Sequence, residues 1–196
     1  VPTRRILTLP NVISVGRLAC APVFCWLLFD DHRVAAFVLL GTLGATDWVD
    51  GWIARRFDQA SDLGKILDPV ADRILLVTAA VALLIDGTVP AVVGALVLVR
   101  EGLVAAATLG LAAAGARRID VQWVGKAGTL ALMFALPGFL LIDVVGSGTA
   151  EDVIRVLTWC FTVGGLALSY YAVVAYVPLA RAALHEGRQA RTGVAA

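Results

Sequence analysis

Four aspartates lie in or beside apolar stretches, where a carboxylate is expensive to place. Asp47 and Asp50 occur in the run Asp47-Trp48-Val49-Asp50-Gly51-Trp52-Ile53-Ala54-Arg55, and Asp68 and Asp72 in Gly64-Lys65-Ile66-Leu67-Asp68-Pro69-Val70-Ala71-Asp72. At helical spacing Asp47, Asp50 and Ala54 share one face with Gly51 beside them, and Gly64, Asp68 and Asp72 share a face of the next segment. The polar connection between the runs is short, so both acidic stripes belong to one end of the molecule and can face each other. A carboxylate at the centre of a membrane-spanning helix costs about 2.5–3.5 kcal/mol on insertion scales, and unneutralised neighbours repel one another. Lys65, Arg55 or Arg73 can offset part of that cost, but bound divalent cations explain four inward acids better. Hard oxygen ligands favour Mg2+ or Mn2+ over zinc. Two such ions about 3.5–4 Å apart can clamp a diphosphate, steadying both the attacked phosphorus and the departing phosphate.

The small residues complete the pattern. Gly51 and Ala54 keep bulk away from the first acidic stripe and Gly64 does so at the start of the second, which leaves room for a flat base and a sugar. Arg55 follows Ala54 and can grip a phosphate through its fork of donors. Pro69 falls near the start of the third apolar segment and is expected in its first turn, where a missing N–H is tolerated. Trp48, Trp52, Trp123 and Trp159 read as belt or packing residues rather than stacking platforms.

These residues must be positioned by membrane helices. Of 196 residues 60% are hydrophobic and 16% charged, against about 45–50% and 25% in soluble domains. The expected fold is all-α: a polytopic membrane protein whose six transmembrane helices form one bundle, with residues 1–196 a single membrane domain. The spans are drawn at Val12–Phe29, Val34–Ala54, Ile66–Ile85, Pro90–Ala114, Val124–Val145 and Val153–Ala180. Thr3–Leu9, ahead of Pro10, is assigned to a short N-terminal interfacial helix. An even number of spans puts both termini on one side. Arg4, Arg5, Arg55, Arg56, Lys65, Arg117, Arg118, Arg181, Arg188 and Arg191 fall at the termini and alternate loops, whereas the opposite loops carry only Arg33 and Arg155. The basic side, with both termini and the acidic site, is therefore cytoplasmic. A net charge of +1 and the lack of a basic face give no reason to expect nucleic acid. Cys20, Cys25 and Cys160 sit in apolar runs without ligand spacing and read as packing residues.

The complete run, D-x-x-D-G-x-x-A-R followed after eight residues by G-x-x-x-D-x-x-x-D, resembles the defining motif of the CDP-alcohol phosphatidyltransferases. Leu9-Pro10-Asn11, the six spans and the chain length are similar to that family as well. The resemblance implies a homodimer of six-helix subunits in a bacterial inner membrane and a two-metal site holding two divalent cations, Mg2+ or Mn2+. It also implies CDP-diacylglycerol as donor, CMP as leaving group and an acceptor hydroxyl that attacks the lipid-bearing phosphate. Carried onto this chain, Asp47, Asp50, Asp68 and Asp72 become metal ligands and catalytic residues, with Asp72 also the base. Asp50, Gly51, Ala54, Arg55 and Gly64 line the CDP pocket.

The acceptor is less constrained. Arg5-Ile6-Leu7-Thr8-Leu9-Pro10-Asn11, Leu67-Asp68-Pro69-Val70-Ala71-Asp72-Arg73, Arg100-Glu101 and Val124-Gly125-Lys126-Ala127 together look like the bacterial glycerol-acceptor branch, in which cardiolipin synthases use phosphatidylglycerol and phosphatidylglycerophosphate synthases use glycerol 3-phosphate. Phosphatidylglycerol is the better match. Arg100 and Lys126 are candidates for the acceptor's phosphate, the alternatives being an ion pair inside the bundle for Arg100 and an interfacial anchor for Lys126. A reading from another class, a cation transporter with an acidic intramembrane site, accounts for the carboxylates but not for Gly51, Ala54, Arg55 and Gly64 beside them.

Overall fold

In a computed structural model of the chain the backbone is described for residues 9–57, 64–113 and 123–193, and the side chains for residues 12–46, 70–111 and 123–178. Within these residues the fold is all-helical, with α1 Leu9–Phe29, α2 Arg33–Phe57, α3 Gly64–Asp86, α4 Ala91–Ala113, α5 Trp123–Val145 and α6 Thr149–Gly193. Five of the six expected spans lie within one helix each, and of the fourth, Pro90 precedes α4 and Ala114 lies outside the described residues. Among the described residues four stretches are long and apolar enough to cross a membrane: Val12–Phe29, Ala91–Leu111, Trp123–Val145 and Thr149–Pro178. The apolar part of α2 found among the described residues is shorter, Arg33–Thr46, and α3 carries Lys65, Asp68, Asp72 and Arg73 in its first three turns. The segment assigned to an interfacial helix lies outside the described residues, apart from Leu9, which opens α1. Pro69 stands at the sixth position of α3 rather than in its first turn, so the helix does without the bond a residue there would give the Lys65 carbonyl.

The helices close into a ring. α1 packs on α2 and α3, α3 on α4, α4 on α6, α6 on α5 and α5 on α2, with a lesser α3–α5 contact across the middle. Phe24, Leu28, Leu75, Leu83, Leu132, Leu136 and Leu140 fill the centre, each essentially inaccessible. Val12, Trp26, Ile85, Val92, Leu109, Val156 and Val174 point outward and are exposed, as lipid-facing residues of a spanning bundle are.

The α5–α6 contact depends on missing side chains. A Cβ at Gly128 would collide with Ser169 Oγ and lie 2.8 Å from the Ser169 backbone N, and a Cβ at Gly138 would meet Thr158. In lipid no hydrophobic force drives helices together, so such close backbone approach supplies much of the packing attraction. Tyr170 adds a polar tie by donating its hydroxyl to the Leu96 carbonyl at 2.9 Å, which joins α6 to α4.

One arginine staples the end of the bundle opposite the acidic motif. Arg33 donates from Nε to Asp31 at 3.0 Å, from Nη1 to Thr88 and Asp143 at 3.1 Å each, and from Nη2 to Asp86 at 3.4 Å. Burial opposes the guanidinium charge, but the Asp31 hydrogen bond and the fields of Asp86, Asp143 and Asp31 outweigh it and raise the pKa further. The loops that converge there turn sharply. Asp31 adopts φ 60° and Gly87, just past α3, adopts φ 83°, a conformation open to glycine and tolerated by aspartate.

Candidate active site

Asp47 and Asp50 belong to the last three turns of α2, and Asp68 and Asp72 to the first three of α3. The α2 C-terminus and α3 N-terminus are joined by residues 58–63 alone, so the backbone brings the two halves of the motif to one end of the bundle. The side chains of Asp47, Asp50, Gly51, Ala54, Arg55, Gly64 and Asp68 lie outside the described residues, and the metal and CDP assignments rest mostly on them. Among the described residues no group of three or more His, Cys, Asp or Glu is arranged to hold a metal. Below the motif α2 reaches α3 across a small apolar pocket bounded by Leu40, Gly44, Leu75, Leu76, Ala79 and Met133.

Asp72 is the motif residue whose surroundings are described. Its Oδ1 accepts from Arg17 Nη1 of α1. Arg17 has 2% of its side chain exposed and Asp72 21%, so the pair sits inside the bundle with the carboxylate retaining access. Ion pairing offsets the cost of bringing both charges in, and removal of either partner would take that compensation from the other. Arg17 was not among the residues singled out from sequence. Its signal was an arginine in an otherwise apolar span, which is a functional flag in itself.

Arg73, expected to help neutralise the acidic motif, instead approaches Glu101 of α4 at 3.7 Å. Glu101 is also bonded to Arg100 Nη1. Arg100 Nη2 reaches Thr129 Oγ1 at 2.9 Å and the Gly125 carbonyl at 3.5 Å on α5. Arg100 thus has the intrabundle acid that one reading required, and it also lines a cavity of about 100 Å³ between α3, α4 and α6, with Arg73 beside it. Arg100 Nε and Ser169 Oγ, both buried, have no hydrogen-bond partner among the described residues. Lys126 is exposed in the first turn of α5, one residue from the carbonyl that Arg100 meets.

A carboxylate–guanidinium pair in α1 and α3, next to a second basic cluster on α3 and α4, suits the handling of phosphate esters inside a membrane protein. Comparison with known proteins decides the family. Residues 7–182 match the family model described as CDP-alcohol phosphatidyltransferase. The chain belongs to that family. The CDP-alcohol phosphatidyltransferases are enzymes, which sets the cation-transporter reading aside, and this member transfers phosphatidyl groups in phospholipid synthesis.

Relatives of this phosphatidyltransferase divide by acceptor. It is 36% identical over 183 residues to a cardiolipin synthase (CMP-forming) of Streptomyces coelicolor, covering 90% of this chain and 84% of that protein. It is 32% identical over 142 residues to a CDP-diacylglycerol–glycerol-3-phosphate 3-phosphatidyltransferase of Haemophilus influenzae, covering 67% of this chain and 75% of that protein. A chloroplastic enzyme of the latter name from Oryza sativa is 32% identical over 174 residues, covering 79% of this chain and 53% of that protein.

Proposed function

We propose that this phosphatidyltransferase takes CDP-diacylglycerol as donor and phosphatidylglycerol as acceptor, releasing CMP and forming cardiolipin. The observation that carries the catalytic part is the complete acidic motif ending at Asp72, a carboxylate half-shielded inside the bundle and held by Arg17. For the acceptor, support comes from the cardiolipin synthase relative, which is similar over 90% of the chain.

Asp47, Asp50, Asp68 and Asp72 would hold two divalent cations, Mg2+ or Mn2+, an assignment that suits an all-carboxylate donor set. When bound, such ions neutralise the diphosphate and make a nearby hydroxyl more acidic. Gly51, Ala54 and Gly64 leave space for the cytidine, and Arg55 binds a donor phosphate. Asp72 lies about 12 Å along α3 from Gly64 at 1.5 Å per residue, one turn deeper than Asp68, where an acceptor arriving from the lipid presents its hydroxyl. As that oxygen bonds to the lipid-bearing phosphorus, its proton passes to the Asp72 carboxylate and the bond from that phosphorus to CMP breaks. Arg17 keeps Asp72 oriented. The whole chain acts as one membrane domain, as a homodimer in a bacterial inner membrane, with both termini and the active site cytoplasmic by the distribution of Arg and Lys.

A second reading, glycerol 3-phosphate as acceptor, is favoured by the Haemophilus influenzae relative. Purified protein given CDP-diacylglycerol with each alcohol in turn separates the two. The proposal expects cardiolipin from phosphatidylglycerol; phosphatidylglycerophosphate as the only product would assign the acceptor to the second reading.

A further inference from the structure

The cavity between α3, α4 and α6 has two unlike parts. Arg73 and Arg100 supply guanidinium groups, while Leu103, Val104 and Ala107 of α4 and Val173 of α6 supply apolar walls. Of the charged groups described there, the two arginines outweigh the one carboxylate of Glu101 that pairs with them, so the site favours an anion. Arg100 Nε is buried and still lacks a hydrogen-bond partner among the described residues, a donor position that a ligand oxygen can satisfy. Leu103 is 46% exposed and neighbouring Val99 54%, so the apolar wall continues into the lipid-facing surface of α4.

We propose that this cavity seats an anionic glycerophospholipid acceptor, its phosphate diester against Arg73 and Arg100 and the first part of one acyl chain against Leu103, Val104, Ala107 and Val173. The inference rests on the phosphatidylglycerol reading above and assigns the site that distinguishes a lipid acceptor from a soluble one. Glycerol 3-phosphate offers the same phosphate but no apolar surface for these walls. A volume of about 100 Å³, below the ~300 Å³ at which pockets begin to enclose drug-sized ligands, suits a headgroup phosphate and a chain stub while the rest of the lipid stays in the bilayer. The donor is placed elsewhere, since its diphosphate belongs with the aspartates of α2 and α3. Glu101 is then a positioning residue that orients both guanidiniums.

The test uses the full-length enzyme in mixed micelles of stated lipid mole fraction, with the KM of each lipid measured separately. Ala107→Trp fills the apolar part of the cavity from α4, and Val173→Trp fills it from α6 if the first variant fails to insert. The expected result is a KM for phosphatidylglycerol raised about tenfold or more, the scale on which an apolar pocket discriminates, with the CDP-diacylglycerol KM unchanged. Dihexanoyl phosphatidylglycerol should be a poorer acceptor than the dioleoyl lipid for the wild type and lose less in the variants. An unchanged phosphatidylglycerol KM in a folded variant, or a rise in the donor KM instead, overturns the cavity's assignment and leaves the acceptor reading standing. A wild-type enzyme that accepts glycerol 3-phosphate and refuses phosphatidylglycerol overturns both.

Discussion

Asp72 and Arg17 occupy helices 55 positions apart in sequence, and their pairing places a charge at the site without leaving it uncompensated. Removing one partner of a buried pair costs about 3–5 kcal/mol. Arg17→Gln should therefore lower the unfolding midpoint in detergent clearly, and Arg17→Gln combined with Asp72→Asn should be less destabilised than the two single changes added together. Strict additivity in that cycle would mean the contact contributes nothing. The aspartate was legible in the sequence because spacing alone puts it in register with Asp68 and Gly64. Its arginine was not, because no local pattern tells which of several basic residues folds back onto it; Arg73 is adjacent in the chain and yet approaches Glu101. Arg100 shows the opposite case, since the ion pair that one sequence reading offered is present, and the same residue also lines a cavity.

Helices here follow apolar length, and all six were readable from it, five of them within a few residues at each end. The differences lie where the physics is not local. α6 continues to Gly193, past the expected end at Ala180, because the loss of hydrophobicity that ends a span does not end a helix. Likewise Pro69 falls inside α3, because a helix beginning at Gly64 continues past the one hydrogen bond that proline removes. Gly128 was unremarkable in sequence, and only the α5–α6 approach shows that its hydrogen matters. Gly128→Leu should destabilise the protein by about 1–3 kcal/mol or more, the range of overpacking, measured as loss of folded protein on heating in detergent. Retained stability would indicate that α6 shifts freely on α5. At the opposite end, Arg33→Ala should loosen the helix ends there together by removing the cation that Asp31, Asp86 and Asp143 share, seen as faster amide exchange or proteolysis of the residues around Asp31, Gly87 and Gly146.

At the scale of the whole molecule, a ring of helices brings the acidic motif, the Arg17–Asp72 pair and the basic cavity to one half of the bundle, and apolar residues cover its outside. Composition made the membrane legible, and the acidic motif made the chemistry legible; the acceptor was not, because both candidate alcohols present a glycerol hydroxyl beside an anionic phosphate. If the four aspartates hold divalent ions, excess chelator should abolish transfer and Mg2+ or Mn2+ should restore it; full activity in chelator would rule out the metal assignment. The most direct test of phosphatidyl transfer at this site measures two quantities on Asp72→Asn with metal present: donor affinity by titration with CDP-diacylglycerol, and CMP formed when acceptor is added. The expected result is measurable donor binding with CMP formation reduced by about two orders of magnitude or more, the usual weight of a general base, whereas turnover near the wild-type rate would show that Asp72 is neither the base nor an essential ligand.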